Sequence, residues 1–413
     1  MKRILLLNPP VLCVNQCQLE WYAFAHPTSL LKIAAFQKSI GNSVDLVDCM
    51  AYENHWNRPL HFYKKLAIGH RDLGLGIPTY ILGRTFDWLA RELASRQAPD
   101  EIWISCHLTF NSELAHAAIA TIAAVFPGIP IVFGGNYPTL FPGDAARSGA
   151  RVFEGRLSEA LFCFPDYSVF HAAPDYFVFQ LTLGCENDCS HCVNHRLGPV
   201  VTLDPAAVVR DIESKRSRYG RRKFINIDPN PSGGDLELFL ETVIGRGLDV
   251  ELYFYGGIPP NRVTREMVTL MKQANVKGIT LPRERGDALN RKLRKKYLAG
   301  DFHQAVRLFQ EQNFDFSLFH CSFPVGLRDD DLDPIREIIG EIQGLGAVAE
   351  MAPVCFIPGT PEFERHADLL TGKSLEELNW ALWPGLDSIE KIRAYSALYC
   401  LAHQNRFHHS WAV

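Results

Sequence analysis

Three cysteines near the middle of the chain have a spacing that can bind a metal centre. They are Cys185, Cys189 and Cys192, in the segment Gly-Cys-Glu-Asn-Asp-Cys-Ser-His-Cys-Val from Gly184 to Val193. Three thiolates can bind three of the four irons of a [4Fe–4S] cubane and leave the fourth iron open. An open iron can chelate the amino and carboxylate groups of a substrate and pass an electron to it. The spacing therefore favours a catalytic iron–sulfur cluster.

A structural zinc site is the alternative for the same thiols. His191, His195 or a distant cysteine could supply a fourth ligand. Zinc sites usually combine paired two-residue gaps on short loops, whereas here a three-residue gap precedes a two-residue gap. The order of the gaps favours the cluster over zinc. The other eight cysteines, such as Cys321 and Cys355 in apolar segments, are interpreted as core residues.

Length and composition indicate two domains and exclude some partners. The chain has 413 residues, of which 47% are hydrophobic and 21% charged, which is more than one average domain needs. A net charge of −4 gives no broad positive field, so neither nucleic acid nor an anionic membrane is expected as a partner. No apolar run reaches the roughly 18 residues of a membrane span. The odd total of 11 cysteines does not indicate a disulfide framework, and a cytoplasmic location is expected.

The first half of the chain alternates short apolar segments with helical patterns. Strands without polar alternation, separated by helices, predict a doubly wound parallel sheet, here a Rossmann-like domain over residues 1–165. Gly134 and Gly135 follow its last predicted strand, where the backbone can turn sharply or approach a ligand. The predicted strands are Ile4–Leu7, Ser43–Val47, Glu101–Ser105 and Ile129–Phe133, and the predicted helices are Ser29–Ser39, Phe86–Ser95 and Leu114–Phe126.

The second half repeats a strand and helix unit, and six strands are visible. This count predicts a partial (β/α)₆ barrel of the TIM type over residues 166–365, with ligands at the carboxyl ends of its strands. Residues 366–413 are predicted to form a helical extension, with a capping box at Ser374 and Glu377 and with Trp380, Trp383 and Trp411 as packing residues. The predicted strands are Phe177–Leu183, Phe224–Ile227, Val250–Tyr255, Gly278–Leu281, Phe316–Phe323 and Val348–Ile357, and the predicted helices are Pro205–Tyr219, Arg265–Gln273, Phe302–Gln312 and Pro334–Gln343.

The cysteine motif and its context resemble the radical S-adenosylmethionine (SAM) superfamily, whose pattern is Cys-x₃-Cys-x₂-Cys after the first strand of a partial barrel. More narrowly, the sequence is similar to the subgroup with an N-terminal cobalamin-binding domain, which includes cobalamin-dependent methyltransferases and a bacteriochlorophyll ring cyclase. The resemblance covers nearly the whole length. Its further landmarks are Pro27–Ala34, Val44–Asp48, Gly134–Pro138, Glu154-Gly155, Val325–Leu327 and Pro358–Pro361.

The resemblance implies a [4Fe–4S] cluster on the three cysteines and a SAM site beside it. Asp228 and Glu284 are then expected near the amino and ribose groups of SAM. His191 occupies the position of an aromatic residue that packs on the adenine in the family. Arg285 replaces a small hydroxyl residue, so a guanidinium is expected to meet the SAM carboxylate.

The resemblance also implies cobalamin as a cofactor of the first domain. Ser105, Gly134 and Gly135 are expected to flank its nucleotide tail. The Asp-x-His-x-x-Gly segment that supplies a lower axial histidine in many cobalamin proteins is absent from the loop after Leu7. The alternative is therefore a Rossmann-like domain that binds no cobalamin and only shapes the substrate cavity.

Taken as a member of this subgroup, the protein is expected to cleave SAM reductively and to abstract hydrogen from an unactivated carbon of a small-molecule or peptide substrate. Cobalamin-dependent methyl transfer to carbon is the preferred reaction, with cyclisation, rearrangement or oxidation as alternatives. An external electron donor such as flavodoxin or ferredoxin is implied. A non-catalytic metal-binding or corrinoid-binding protein is the competing hypothesis from another class.

Overall fold

A computed structural model of the chain describes residues 1–14, 26–50, 67–70, 73, 79–233 and 235–403. They form two compact units. Unit 1 contains residues 1–174 together with 372–382, and unit 2 contains residues 175–371 together with the described part of 383–413. The polypeptide after residue 366 is thus divided between the two units.

Unit 1 is built on a five-stranded parallel sheet with the spatial order β3-β1-β6-β7-β8. The predicted doubly wound parallel sheet is confirmed. Its strands and those of a smaller sheet are β1 (Arg3–Asn8), β2 (Val11–Cys13), β3 (Ser43–Asp48), β4 (Ala67–His70), β5 (Tyr80–Leu82), β6 (Glu101–Ser105), β7 (Ile131–Gly134) and β8 (Arg151–Val152). Its helices are α1 (Thr28–Ser39), α2 (Phe86–Ala94), α3 (Ser112–Val125), α4 (Asn136–Leu140) and α5 (Pro142–Ala145).

The apolar run Ile4–Leu7 explains why β1 is the central strand of this sheet. All four residues are buried, and β1 pairs with β3 on one side and β6 on the other. A strand covered on both faces needs apolar residues at every position, because helices pack on each side. Ile119 and Ile122 of α3 belong to the same apolar core as Leu5 and Leu7.

A second, antiparallel sheet in unit 1, with the order β2-β5-β4, was not predicted. Strands β2 and β5 have three residues each, too few for a hydrophobic period to be visible in the sequence. Cys13, Leu82 and Phe110 form a small core here, and Trp380 packs against it.

Unit 2 contains a six-stranded, all-parallel sheet whose spatial order β9-β12-β13-β14-β15-β16 follows the chain. This order confirms the predicted partial barrel. The strands of unit 2 are β9 (Tyr176–Phe179), β10 (Thr182–Leu183), β11 (Val201–Thr202), β12 (Lys223–Asn226), β13 (Glu251–Phe254), β14 (Val276–Thr280), β15 (Phe319–Val325) and β16 (Val348–Pro353). The helices are α6 (Pro205–Tyr219), α7 (Leu236–Gly245), α8 (Arg265–Gln273), α9 (Asp287–Lys292), α10 (Ala299–Glu311), α11 (Leu332–Gly344), α12 (Pro361–Arg365), α13 (Ala367–Leu370) and α14 (Ile389–His403).

The predicted first barrel strand, Phe177–Leu183, is divided into β9 and β10. The division falls where the backbone N–H groups of Leu181 and Thr182 donate to the Asp228 side chain. A side-chain acceptor here replaces the carbonyl of a neighbouring strand. Strand β10 pairs instead with β11 as a short antiparallel ladder, which closes the cysteine-bearing loop at its base.

Two helix predictions in unit 2 need correction. Helix α7 was missed, although its buried Leu236, Phe239, Leu240 and Val243 follow a helical period. Helix α11 was predicted to open at the Asp-Pro pair 333–334, but it begins at Leu332, because the Asp331 side chain accepts from the Asp333 N–H at 3.2 Å and caps the helix earlier.

From Thr371 to His403 the chain combines turns with a short 3₁₀ helix (Trp380–Leu382) and helix α14. Ser374 and Glu377 make the reciprocal hydrogen bonds of a capping box, but they stabilise a turn instead of a helix. Trp383 is fully buried in unit 2, with its ring centroid 5.4 Å from that of Tyr395. Trp411 lies outside the described residues.

Candidate active site at the cysteine loop

The three predicted ligand cysteines lie on the loop that follows β10. Gly184 starts this loop at a φ of +91°, a conformation that favours glycine. The N–H of Cys192 donates to the Cys189 carbonyl at 3.0 Å, and the N–H of Asn194 donates to the Cys192 Sγ at 3.5 Å. All three thiols are partly buried and free of disulfide bonds.

A cation and an N–H donor near the thiols oppose the effect of burial on their pKa. Burial raises the pKa of Cys189 and Cys192, while the positive charge of Lys295 acts to lower both. The Asn194 N–H also acts to lower the pKa of Cys192. A nearby cation and an N–H donor both stabilise the thiolate form, which is the form that binds metal.

The donor set fits a [4Fe–4S] cluster by its number and chemistry. Within the described residues, no group of three or more His, Cys, Asp or Glu side chains is placed to hold a metal ion. In a cubane each thiolate binds its own iron, so three sulfurs need not converge on one ion. Cys185, Cys189 and Cys192 provide the three soft ligands that such a cluster takes.

A buried hydrogen bond fixes the middle of the loop. The Ser190 hydroxyl donates to Glu362 Oε2 at 2.9 Å, and the Glu362 N–H donates to the Ser190 carbonyl at 3.1 Å. Both residues are fully buried, and Arg365 forms an ion pair with the Glu362 carboxylate. Thr360 caps α12, which carries Glu362. The Pro358–Pro361 motif thus leads into a helix that anchors the cysteine loop.

A basic segment, residues 291–297, contacts the other side of the loop and was missed by sequence reasoning. The Ser190 N–H donates to the Leu293 carbonyl at 3.0 Å. Lys296 Nζ lies 2.9 Å from a carboxylate oxygen of Asp188, and Arg294 lies 3.8 Å from the other. The sequence contains a signal, since Arg-Lys-Leu-Arg-Lys-Lys at 291–296 has five cations in six residues. The cysteine motif contains Glu186 and Asp188, which are of opposite charge.

Glu284 lies in a buried triad with Lys295 and Tyr297. Its Oε1 accepts from the Tyr297 hydroxyl at 2.6 Å and is 2.9 Å from Lys295 Nζ. Its Oε2 is buried without a hydrogen-bond partner. Burial and the Glu284 carboxylate raise the pKa of Tyr297, so this hydroxyl is a donor at neutral pH. A buried carboxylate oxygen without a partner is costly unless a ligand satisfies it.

Asp228 follows β12 and is fully buried beneath the start of the cysteine loop's hairpin. Its Oδ2 accepts from the N–H groups of Leu181 and Thr182 at 2.7 and 3.0 Å and from Asn226 Nδ2 at 3.0 Å. Its Oδ1 is buried without a partner. Burial raises the pKa of Asp228 to about 6, although the hydrogen bonds act to lower it. Gly256 passes so close that a Cβ there would lie 1.7 Å from the Asp228 carbonyl oxygen.

His191 and Arg285, two further candidates of the predicted SAM site, differ in their surroundings. Burial, followed by the charge of Lys295, lowers the pKa of His191 to about 3, so its ring is neutral. The His191 Nδ1 is buried without a partner. Arg285 instead forms an ion pair with Asp330, whose other carboxylate oxygen accepts from the N–H of Gly326 at 2.7 Å. Its guanidinium is therefore already bound within the protein.

Polar side chains also lie on the helix-free face of the barrel sheet. Phe179 stacks on Phe239 of α7, so alternation along the strands places residues such as Tyr255 on the opposite face. The ring of Tyr255 lies 4.8 Å from that of His320, and the His320 Nδ1 is 3.7 Å from Glu350 Oε2. Sequence reasoning missed this group, because each residue is isolated within an apolar strand.

The predicted cobalamin residues meet at the carboxyl edge of the sheet in unit 1. Ser105 pairs with Gly134 across β6 and β7. Gly135 has a φ of +109°, and a Cβ there would lie 2.4 Å from the Cys106 carbonyl oxygen. Glycine is thus required at position 135 by the close approach of the chain to itself. In the described residues 9–14, which follow β1, no histidine is present.

A comparison with protein families decides the class of the barrel. Residues 179–342 match the family model of the radical SAM superfamily. The matched range contains the three cysteines, Asp228, Glu284 and the basic segment. Residues 179–342 thus form a radical SAM domain. Such a domain implies a [4Fe–4S] cluster and SAM as cofactors, which agrees with the donor set of the cysteine loop.

Solved structures that contain radical SAM domains share the fold over most of the chain. The radical SAM methyltransferase TsrM from Kitasatospora setae, with tryptophan and a SAM analogue bound, matches at a TM-score of 0.65 and 14% identity, over 91% of this chain and 77% of TsrM. The cobalamin-dependent SAM radical enzyme OxsB, with aqua-cobalamin and SAM bound, matches at a TM-score of 0.55 and 12% identity, over 98% of this chain and 61% of OxsB. At these identities the likeness shows the fold.

No curated protein sequence matches the chain. None of the helices in the described part of the chain is long and apolar enough to cross a membrane.

Proposed function

We propose that the protein is a cobalamin-dependent radical SAM methyltransferase that acts on an unactivated carbon of a small-molecule or peptide substrate. The observation that carries the proposal is one chain with two parallel sheets: a barrel with a cysteine loop, and a second sheet of order β3-β1-β6-β7-β8. TsrM and OxsB, whose fold this chain shares at low identity, support the methyltransferase and cobalamin parts.

In this proposal the residues around the cysteine loop bind and orient SAM. The cluster and SAM, when bound, supply the one-electron chemistry that generates a radical for hydrogen abstraction. Cys185, Cys189 and Cys192 hold the cluster. Asp228 Oδ1 and Glu284 Oε2, both buried without partners, accept hydrogen bonds from the amino and ribose groups of SAM. An ionised carboxylate accepts hydrogen bonds and donates none, so these oxygens suit an ammonium group and a hydroxyl group as donors.

His191 and Arg285 are proposed to act at the two ends of the same ligand. The neutral His191 ring is suited to pack on the adenine, because an uncharged imidazole needs no counter-ion in a buried site. Arg285 is held by Asp330, so it reaches the SAM carboxylate only if the guanidinium keeps a donor free. Its Nε is buried without a partner and provides such a donor.

Cobalamin is proposed to bind at the carboxyl edge of unit 1. In open parallel sheets, ligands bind at the point where the strand order reverses, because the connections from the two neighbouring strands there lead to opposite sides of the sheet. Here this point lies between β1 and β6. Ser105 ends β6 at this point and offers a half-buried hydroxyl, beside the turn at Gly134 and Gly135. The proposal includes an external low-potential donor such as flavodoxin or ferredoxin, and a cytoplasmic location.

The test is anaerobic reconstitution of the full chain with iron, sulfide and hydroxocobalamin, followed by dithionite and SAM. We expect iron–sulfur and corrinoid absorption bands together, and formation of 5′-deoxyadenosine and S-adenosylhomocysteine. If the chain binds the cluster but no corrinoid, the proposed reaction becomes cyclisation, rearrangement or oxidation instead of methyl transfer. The absence of both nucleoside products, or the presence of zinc in place of iron, would overturn the proposal in favour of a metal-binding or corrinoid-binding protein.

A further inference from the structure

Lys295 is a buried cation beside the cysteine loop, and the proposed function gives it no role. Its side chain is only 16% exposed, and its Nζ lies 2.9 Å from Glu284 Oε1. The Lys295 N–H donates to the Asn290 carbonyl at 2.8 Å, which fixes the backbone. Two residues earlier, Leu293 accepts from the Ser190 N–H at 3.0 Å. Lysine at such a position is costly to bury and needs a reason beyond packing.

The segment that carries Lys295 contacts the cysteine loop on both sides of this residue. Leu293 accepts from the N–H of Ser190, which lies between Cys189 and Cys192, and Lys296 pairs with Asp188, the residue before Cys189. Burial acts to lower the pKa of Lys295, but the Glu284 carboxylate, 2.9 Å from its Nζ, raises it, so the ammonium stays charged. Charges interact more strongly here than in bulk water, because the side chains of Lys295 and Glu284 are buried.

Reduction of an iron–sulfur cluster adds one negative charge to the site. A fixed cation stabilises the reduced form more than the oxidised form, so it raises the reduction potential. An anion such as Glu284 has the opposite effect. Lys295 and Glu284, whose side chains are in contact, therefore make opposing contributions to the reduction potential.

We propose that Lys295 tunes the cluster on Cys185, Cys189 and Cys192 to a higher reduction potential, and that Glu284 partly offsets this effect. The inference rests on the cluster of the proposed function. The step is the addition of one electron from dithionite to the cluster, without a proton or a leaving group. Lys295 thus acts on the cluster through its charge and does not contact SAM.

The experiment is a redox titration of the reconstituted full chain without SAM, followed by electron paramagnetic resonance. Lys295→Met is expected to lower the midpoint potential and Glu284→Gln to raise it. The double variant K295M/E284Q is expected to return close to wild type. A tenfold change in the ratio of reduced to oxidised cluster at fixed potential corresponds to 59 mV for one electron. Lys295→Arg keeps the charge and is expected to retain the wild-type potential.

Lys296→Met is the matched control. It removes the same charge from the next residue, but this side chain is 57% exposed and paired with Asp188. Water and salt screen such a charge, so its effect on the potential should be clearly smaller than that of Lys295→Met.

Iron and sulfide content separate the possible outcomes. Full iron content with an unchanged potential in Lys295→Met overturns the inference and leaves the proposed function intact. Should Lys295→Met fail to fold, a Glu284→Gln potential equal to or below wild type overturns it as well. A wild-type chain that binds no cluster overturns both proposals.

Discussion

The carboxyl edges of the two parallel sheets are built in opposite ways. At the edge of unit 1 the chain packs on itself, with Gly135 against the Cys106 backbone and Asn136 hydrogen-bonded to His107 at 3.0 Å. At the edge of the barrel, buried oxygens of Asp228 and Glu284 have no partner. A folded protein rarely leaves such atoms unsatisfied without a ligand to bind. The barrel edge is therefore the stronger candidate for a cofactor site.

This difference separates two kinds of sequence signal. The cysteine motif predicts chemistry directly, because thiols at that spacing have few other uses. The double glycine predicts only backbone freedom, which a ligand or the chain itself can require. In unit 1 the chain itself requires it at Gly135, and the cobalamin site remains a proposal that needs its own test.

Removal of the cysteines should have the largest effect and should be confined to the barrel edge. We expect Cys185→Ala, Cys189→Ala and Cys192→Ala each to abolish 5′-deoxyadenosine formation, because a cubane with two protein thiolates is no longer held in place. Iron content and product formation are the measurements. Cys163→Ala, a thiol of unit 1, is the control and should retain both. Wild-type iron content in the three loop variants would contradict the assignment.

Substitution at the double glycine tests whether the edge of unit 1 is closed by packing. Gly135→Ala should destabilise the protein by about 3 kcal/mol, because the new Cβ meets the Cys106 carbonyl and the residue has a positive φ. Gly134→Ala is the matched control, since its Cβ would have no neighbour nearer than 3.8 Å. Thermal unfolding measures both. Equal stability of the two variants would mean that the edge is more open than the contacts indicate.

The buried carboxylate of Asp228 should make stability depend on pH. Burial raises its pKa from 3.8 to about 6. Between these values the folded state keeps a proton that the unfolded state has lost, so the free energy of unfolding falls as pH rises from about 4 to about 6. Asp228→Asn lacks this titration. The stability of wild type relative to the variant should fall by up to ~3 kcal/mol over this range.

Urea unfolding of the cluster-free protein at several pH values measures this difference. Parallel pH profiles for wild type and Asp228→Asn would show that burial does not raise the pKa of this carboxyl group. In that case Asp228 would resemble the satisfied polar groups of unit 1, and the contrast between the two edges would weaken.

The two folds were predictable from the sequence to a greater extent than the site was. Apolar runs such as Ile4–Leu7 and the helix signal at Asp204-Pro205 act locally, so the sequence displays them. Strands β2 and β5 pair with segments far along the chain and are too short to show a period. The cysteines were found from spacing alone. Lys295 was not, because its role depends on a contact with Glu284, and only the fold brings the two side chains together.

Substitution of Ser190, which anchors the cysteine loop, is expected to have the smallest effect on the protein. Ser190→Ala removes the buried hydrogen bond to Glu362 and should cost about 1–2 kcal/mol of stability. The cysteine loop keeps the backbone hydrogen bonds from Ser190 to Leu293 and from Glu362 to Ser190, so iron content should stay near wild type. Ser214→Ala, on the exposed side of α6, is the control and should be neutral. Thermal unfolding and the rate of cluster loss on warming measure the effect. A cluster that is lost no faster than in wild type would mean that the backbone contacts and the basic segment hold the loop without this side chain.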